Sequence, residues 1–290
     1  GIKKDYSLLA DTPFGNSYTK DFALKLIKEE GLGTDDITDF ISICFSATDK
    51  IGHRFGPSSV EAADALLRLD ADIAELLDFL LETIGKKNIL ICFTAAHGVS
   101  EIPALLEANR IPAGYFVHTQ ALQLLRIYLN AIYGQGDWIK GYFDNQVYLN
   151  RTLIEDARIS LEEIQKRVAR FMVQNTGVAA AYPLSVFETA DFVNGRLHMA
   201  DNNFVPQRSG DVLVILNPGW VEANEYSVTG HNSPYNYDTH VPLIWYGWTV
   251  NRATVNRRVN MTDIAPTLSV MCGIPVPNTC TGEPANELLR

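Results

Sequence analysis

The sequence contains no uninterrupted apolar run that approaches the length of a membrane-spanning helix, which needs about 20 residues. Basic residues are also in deficit, with 24 Lys and Arg against 34 Asp and Glu, so the net charge is −10. Because nucleic-acid-binding proteins normally carry a basic patch, this balance argues against a nucleic-acid partner. The 290 residues, 47% of them hydrophobic, can build a substantial core as one large domain or two small ones.

Cysteine is scarce, with four residues in the whole chain. Cys44 and Cys92 fall inside strand-like runs, which predicts buried free thiols that behave as small hydrophobic side chains. Cys272 and Cys280 flank a turn-rich loop that would allow a disulfide. The sequence leaves the bonded and the free state of this second pair equally open.

Two short apolar runs with β-propensity predict strands that precede chemically active residues. The run at 39–45 ends before Asp49, and the run at 88–93 ends before His97. Between them lies a long helical pattern that extends to Thr83, with Ser58 and Glu61 as a capping box. Strand, helix and strand with nearly continuous apolar strands are typical of a parallel sheet buried on both faces. The sequence therefore predicts an α/β fold with a mostly parallel sheet flanked by helices.

The remaining elements are predicted from periodicity and from turn residues. Helices are predicted at 18–30, 120–133, 160–174 and 263–271, and strands at 143–149, 211–216 and 240–246. The aromatic-rich middle third predicts a subdomain or excursion from the main sheet at about 111–208.

Three segments carry residues that are suited to binding a metal. They are Thr48–His53, which contains Asp49 and His53, Thr94–Gly98 with His97, and Gly230–Tyr235 with His231. Taken alone, an Asp of this kind more often caps a helix and a His more often serves in a loop. Together they form an oxygen and nitrogen ligand set that suits zinc. If each lies where a strand ends, they meet at the sheet edge where α/β proteins bind ligands.

These segments resemble elements of the alkaline phosphatase superfamily, and most closely those of its phosphate-monoesterase and type I phosphodiesterase/nucleotide pyrophosphatase branch. Asp49–Pro57 (DKIGHRFGP) is similar to D-x-x-G-H-x-x-G-P, and residues 94–98 are similar to T-A-D-H-G. Gly230–Pro242 is similar to H-G-S-x-Y-x-Y-D-x-H-V-P, and Asn260–Gly273 is similar to the D-I-A-P-T closing helix. The four elements occur in family order. Sulfatases and phosphomutases are a weaker match to the same residues.

The resemblance implies two zinc ions about 4 Å apart, a spacing typical of phosphoryl-transfer sites. The residues matching Asp49, His53 and His231 hold one ion, and all three are present. The other ion needs an earlier Asp, the nucleophile, and the residues at positions 96 and 97. Ala96 stands where the family has a carboxylate, and His97 alone survives. We therefore expect one nearly complete zinc site and one ruined site.

The resemblance also places the nucleophilic Thr or Ser in an N-terminal half that would precede this chain. The chain opens at Gly1 with no initiator Met and no signal peptide, and we expect it to be the C-terminal portion of a longer enzyme. It would then contain no catalytic nucleophile and be inactive alone.

For the full-length parent, the resemblance implies hydrolysis of a phosphorylated small molecule through a covalent phospho-enzyme in a periplasmic or extracellular location. Monoesterase and diesterase activity, the oligomeric state and the substrate stay open. The alternative is a degenerate, non-catalytic relative with a binding or structural role, in which Ala96 marks the lost site.

Other polar residues near these elements have more ordinary explanations. Asp238 and His240 are expected to satisfy local backbone groups, and Asp238 and Glu101 are the nearby carboxylates that could compensate for Ala96. Lys50 and Arg54 flank the metal loop and could face phosphate, although a solvated position is the commoner role for such residues. His118 and His198 match no element of the family and are expected to be structural.

Overall fold

A computed structural model describes residues 6–223, 227–248 and 250–289. The α-helices are α1 (Phe14–Glu29), α2 (Ala47–Phe55), α3 (Val60–Thr83), α4 (Pro103–Ala108), α5 (His118–Tyr133), α6 (Arg151–Asp156), α7 (Leu161–Met172), α8 (Ser185–Thr189), α9 (Gly195–Asn202), α10 (Asn236–Thr239) and α11 (Ile264–Met271). The strands are β1 (Leu90–Thr94), β2 (Gly114–Phe116), β3 (Ile139–Phe143), β4 (Gln146–Leu149), β5 (Val178–Pro183), β6 (Val212–Leu216), β7 (Trp220–Glu222) and β8 (Leu243–Gly247). Among the described helices, none is both long enough and apolar enough to cross a membrane.

The chain divides into two compact units. Within the described residues, the first comprises 6–15, 46–67, 95–223 and 227–241, and the second comprises 16–45, 68–94, 242–248 and 250–289. The predicted excursion at 111–208 lies inside the first unit. Its status as a separate subdomain stays a prediction.

The core of the first unit is built on a four-stranded antiparallel sheet in the order β3-β4-β6-β5, against which α5 and α7 contribute apolar side chains. The amphipathic spacing of α7 explains its place, because Ile164, Val168 and Met172 recur on one face and are all fully buried. The helix begins where the sequence predicts, since the Ser160 hydroxyl accepts a hydrogen bond from the Glu163 backbone N–H. This packing fixes the scaffold from which the loops of the unit extend.

The single strand predicted at 143–149 is wrong, because the structure has a hairpin there. Strands β3 and β4 pair antiparallel and turn at Asp144 and Asn145, whose φ angles are 48° and 59°. A two-residue hairpin turn of this hand needs positive φ at both central residues, and Asp and Asn tolerate it better than other side chains.

The α/β class is confirmed, but parallel pairing is limited in the described residues to β2 and β7. Strands β1 and β8 pair antiparallel in the second unit, as do the neighbours in the four-stranded sheet. An apolar run predicts that a strand is buried, but it does not predict whether the strand runs parallel or antiparallel to its neighbour. That direction depends on the connection between the two strands.

The strand predicted at 39–45 is not formed, because within the described residues no segment pairs with it, and a strand needs a hydrogen-bonded neighbour. Cys44 is consequently exposed and not buried. Cys92 on β1 is half-buried, and burial raises the pKa of its thiol to about 11. Cys272 and Cys280 are free thiols.

The long helix predicted before Thr83 is present as α3, with a different residue at its start. Ser59, and not Ser58, provides the cap, because its hydroxyl accepts a hydrogen bond from the Ala62 N–H at 3.1 Å. Ser58 donates its hydroxyl hydrogen to the carboxylate of Glu101 instead.

Candidate metal centre

Asp49 and His53 lie on helix α2, although the sequence places them in a loop after a strand. Ile51 on the opposite face is 1% exposed and packs with Ala62 and Ala65, which anchors the helix. Because Asp49 and His53 are four residues apart, their side chains share one face. A helix thus performs the positioning that the sequence assigns to the end of a strand.

His97 lies in the loop that follows β1, at a point where the backbone of another loop comes very close. A Cβ atom on Gly98 would lie 2.0 Å from the Tyr237 carbonyl oxygen, so only glycine fits. The Gly98 N–H donates to the Asp238 carbonyl at 2.7 Å. Gly98 therefore allows the backbones of the two loops to approach closely, and this contact holds His97 in place.

His231 lies in a loop that is tied to both of the other segments. The Ser100 N–H donates to the Gly230 carbonyl at 3.1 Å, and the Val228 N–H donates to the His53 carbonyl at 2.8 Å. The buried Thr229 hydroxyl donates to the Ser100 carbonyl at 2.6 Å. Three segments distant in sequence are thereby joined within the first unit.

The three histidine rings converge on one carboxylate. The Asp49 Oδ1 atom lies 3.5 Å from Nε2 of His53 and 3.9 Å from Nε2 of both His97 and His231. Asp49, His97 and His231 each offer a ligand atom within 4.8 Å of the other two. The rings of His97 and His231 stack with centroids 3.6 Å apart, and the His53 ring lies 5.0 Å from that of His231.

Hydrogen bonds at Nδ1 fix which ring nitrogen of each histidine is free. His53 Nδ1 lies 3.0 Å from the Thr229 carbonyl oxygen, and His97 Nδ1 lies 2.7 Å from the Gly98 carbonyl oxygen. A carbonyl only accepts, so both Nδ1 atoms carry the hydrogen. His231 Nδ1 lies 2.9 Å from Oδ1 of Asn232 and follows the same logic. All three rings thus present an Nε2 lone pair towards Asp49, which is the arrangement that a metal ion requires.

The environment also favours the neutral form of His231. Burial lowers the pKa of His231 below its ordinary value, and the neighbouring His97 and His53 lower it further. The hydrogen bond that His231 donates to Asn232 and the charge of Asp49 act in the opposite direction. A neutral imidazole is the form that binds a metal, so the donor set fits a divalent cation such as zinc.

The two carboxylates predicted as possible replacements at Ala96 lie outside the cluster, and Asp238 keeps its Oδ1 atom buried without a hydrogen-bond partner among the described residues. Glu101 accepts hydrogen bonds from the Ser58 hydroxyl and the Ile102 N–H, and the buried Asp238 accepts one from the Ser233 N–H. Ala96 itself is exposed. Within the described residues, Asp49 supplies the carboxylate of the cluster, and Ala96 supplies no ligand atom.

The other polar residues named in the sequence analysis lie outside the cluster. Arg54 donates to the Asp11 carboxylate at 2.8 Å, and His118 Nδ1 lies 2.7 Å from the Glu222 carboxylate. His198 Nδ1 lies 2.5 Å from the Phe192 carbonyl oxygen. His240 and Lys50 are exposed. The structure brings none of these side chains into the cluster.

Sequence reasoning missed the groups that orient the rings, namely the Thr229 and Gly98 carbonyls and the Asn232 side chain. The two carbonyls leave no trace in the sequence, since any residue supplies one. Asn232 does leave a signal, because it stands where the family element has Gly. Its φ of 75° is a conformation that Gly and Asn adopt most readily.

Comparisons with known proteins agree with these elements. The profile of the family "Type I phosphodiesterase / nucleotide pyrophosphatase" matches residues 3–241. Alkaline phosphatase PhoV of Synechococcus elongatus is 33% identical over 287 residues, which cover 99% of this chain and 52% of PhoV. Alkaline phosphatase PafA of Elizabethkingia meningoseptica is 31% identical over 292 residues, which cover 99% of this chain and 53% of PafA.

The fold comparison gives the same relationship. The crystal structure of wild-type alkaline phosphatase PafA superimposes with a TM-score of 0.92 at 30% identity, covering 98% of this chain and 54% of that structure. The chain therefore spans about half the length of each of these relatives.

Proposed function

Since the chain belongs to the type I phosphodiesterase/nucleotide pyrophosphatase family of the alkaline phosphatase superfamily, we propose that its full-length protein is a metal-dependent phosphoric ester hydrolase. The observation that carries this proposal is the convergence of three Nε2 atoms on the Asp49 carboxylate. The substrate class is a phosphorylated small molecule, and the proposed location is periplasmic or extracellular. The alkaline phosphatase names of the relatives support the substrate class, and the proposed location rests on the family resemblance.

In this proposal, the residues of this chain bind a metal ion and orient the side chains that hold it. Asp49, His53 and His231 would hold a zinc ion, and the Nδ1 hydrogen bonds keep the rings in the tautomer that binds it. Bound zinc supplies Lewis-acid stabilisation of charge on the phosphoryl group and lowers the pKa of a coordinated water. The cluster is open to solvent, since the Asp49 side chain is 36% exposed, so a phosphate group can approach it.

The test uses the full-length protein with p-nitrophenyl phosphate and bis-p-nitrophenyl phosphate. We expect zinc-dependent turnover on the order of 1 to 1,000 per second for the preferred ester. Asp49→Asn and His231→Ala should lower kcat/KM about 100-fold or more, because each removes a metal ligand. His240→Ala is the matched control, since His240 is exposed and outside the cluster, and it should keep full activity. Turnover that survives both a chelator and Asp49→Asn would reject the proposal.

For the chain of 290 residues by itself, we expect no measurable hydrolysis of either ester. The family resemblance places the nucleophile and the first metal-binding Asp outside this sequence, and a covalent phospho-enzyme cannot form without a nucleophile. The measurement is the same assay on the purified chain with added zinc. Turnover that disappears in His53→Ala would show that this expectation is wrong.

A second function, that of a non-catalytic relative, is favoured by Ala96. Replacing an anionic ligand with a methyl group leaves a second ion under-neutralised and under-coordinated. In the full-length protein, Ala96→Asp with metal counting separates the two functions. A rise from about one to two bound metals, with activity gained, supports a disabled enzyme. Two metals and ordinary turnover in the unchanged protein contradict it.

A further inference from the structure

We propose that Thr229 is a positioning residue that holds His53 and the loop of His97 in the arrangement that binds a metal ion. The inference rests on the proposed metal dependence, and it extends that function to a residue outside the cluster. Thr229 stands one position before the family element that begins at Gly230, so no motif of the sequence marks it. It is nevertheless 2% exposed, and its hydroxyl and its carbonyl each contact a different ligand segment.

The hydroxyl of Thr229 is bound to the loop that carries His97. It donates to the Ser100 carbonyl at 2.6 Å, and Ser100 is also 2% exposed. Because a carbonyl oxygen only accepts, the hydroxyl hydrogen is committed to this contact. The Ser100 N–H in turn donates to the Gly230 carbonyl at 3.1 Å. The loop of His97 is thus fixed at residue 100 through both of its backbone polar groups.

The backbone carbonyl of Thr229 is bound to the helix that carries His53. The carbonyl oxygen lies 3.0 Å from His53 Nδ1, and the neighbouring Val228 N–H donates to the His53 carbonyl at 2.8 Å. Thr229 therefore contacts one ligand ring directly and the loop of a second ligand through its side chain. A displacement of Thr229 would move His53 and His97 relative to each other.

Loss of the hydroxyl alone should change the orientation of both rings. Thr229→Val keeps a β-branched side chain of similar size, but it leaves the buried Ser100 carbonyl without this donor. An unpaired buried carbonyl is costly, so we expect residues 98–100 to turn that group towards water. The Gly98 carbonyl, which lies 2.7 Å from His97 Nδ1, belongs to the same stretch. Thr229→Ser keeps the hydroxyl and should keep the arrangement.

The ¹⁵N chemical shifts of the imidazole rings test the proposal, because they report which ring nitrogen carries the hydrogen. They are measured on the metal-free chain of 290 residues at alkaline pH, where the rings are neutral. We expect His53 and His97 to carry the hydrogen on Nδ1 in the unchanged chain and to become mixtures of tautomers in Thr229→Val. Thr229→Ser should restore the single tautomer. Thr152→Val is the matched control, since Thr152 is exposed on α6, and it should leave both rings unchanged.

Two outcomes of this measurement would overturn the proposal. One is a lower melting temperature in Thr229→Val with both rings in their original tautomer, which would show that the hydroxyl stabilises the fold without positioning the rings. The other is an equal change in Thr229→Ser and Thr229→Val, which would show that the hydroxyl is not the group responsible.

Zinc affinity, measured by competition with a chromogenic chelator, gives a second readout. Thr229→Val should bind zinc about 10-fold more weakly, while Thr229→Ser and Thr152→Val should stay within about twofold of the unchanged chain. Equal zinc affinity in all four chains would contradict the positioning role. Absence of zinc binding in the unchanged chain would instead reject the proposed metal dependence. The tautomer measurement needs no metal, so the two failures are distinguishable.

A measurement on the unchanged chain does not depend on the folding of variants. If Thr229 joins the two segments, the amide hydrogens of Ser100 and Val228 become accessible in one opening event. We expect hydrogen exchange to show the same protection for both. Protection that differs by more than about 10-fold would show that the two contacts open separately and that Thr229 does not join them.

Discussion

At the scale of single residues, the cluster of Asp49 and the three histidines depends on an Asn side chain and on backbone carbonyls that lie outside the cluster. Each histidine is held by an oxygen on its Nδ1 atom, and two of the three oxygens belong to the backbone. The exception is Asn232, whose side chain holds His231. The family element has Gly at this position, so Asn232 adds an orienting contact that the family element lacks.

Asn232→Gly should weaken zinc binding about 10-fold. Loss of a residue that orients a metal ligand typically lowers metal affinity between 10-fold and 100-fold. We expect the low end of this range because Asn232 is exposed. Gly tolerates the φ of 75°, so the change removes the side chain without straining the backbone. The measurement is chelator competition together with thermal unfolding. Unchanged affinity with an unchanged melting temperature would show that the Asn232 contact does not orient His231.

At the scale of elements, the site depends on the close approach of two loops. Gly98→Ala should destabilise the protein by about 1 to 3 kcal/mol, the range of steric overpacking, because its Cβ would meet the Tyr237 carbonyl oxygen at 2.0 Å. Displacement of the loop should weaken zinc binding as well, since His97 is the neighbouring residue.

The matched control is Gly52→Ala on helix α2. A Cβ there meets no atom within 4 Å, and alanine favours a helix over glycine by up to about 1 kcal/mol. We expect this variant to be as stable as the unchanged chain or more so in denaturant unfolding. Equal destabilisation by Gly98→Ala and Gly52→Ala would show that the close contact between the two loops does not determine the loss of stability.

The four-stranded sheet has its own polar anchor in Asp211, whose side chain is 3% exposed. Its carboxylate accepts from the Leu149 N–H at 2.8 Å, from Arg151 at 2.9 Å and from Gln165 at 3.0 Å. Asp211→Ala should lower the free energy of unfolding by about 3 to 5 kcal/mol, because it leaves the Leu149 N–H and the Gln165 amide, both buried, without a partner.

Denaturant unfolding followed by circular dichroism checks the Asp211 prediction. Asp191→Ala is the control, since Asp191 is exposed, and it should change stability by less than about 0.5 kcal/mol. A loss below about 1 kcal/mol in Asp211→Ala would show that the three hydrogen bonds are replaced by water at little cost.

At the scale of the whole molecule, the two units differ in how well they bury their apolar residues. The large core lies in the first unit. In the second unit, Phe40 lies in the unpaired segment 39–45 and is 78% exposed, and Ile37 just before this segment is 75% exposed. Because the relatives are about twice as long, and because burial of apolar surface is favourable, we expect further polypeptide of the full-length protein to cover these two side chains.

Phe40→Ser should therefore act in opposite directions in two contexts. In the 290-residue chain it should raise soluble yield and lower the binding of a hydrophobic dye, because it removes exposed apolar surface. In the full-length protein it should lower the melting temperature, because it removes a buried contact. Phe143→Ser is the control, since Phe143 lies in the first unit and is 65% exposed, and it should act alike in both. A Phe40→Ser effect of the same sign in both contexts would contradict the covering role.

The sequence by itself determined the family and most helices, and it predicted Asp49, His53, His97 and His231 as metal ligands, because these depend on local pattern and on residue type. It predicted the start of α7 from Ser160, and it indicated the loss at Ala96. The structure decided what depends on distant segments. Asp49 came to lie on a helix, 39–45 found no partner strand, and most strand pairs proved antiparallel. Above all, the structure brought His97 against His231, because hydrogen bonds between loops over a hundred residues apart leave no pattern in the sequence.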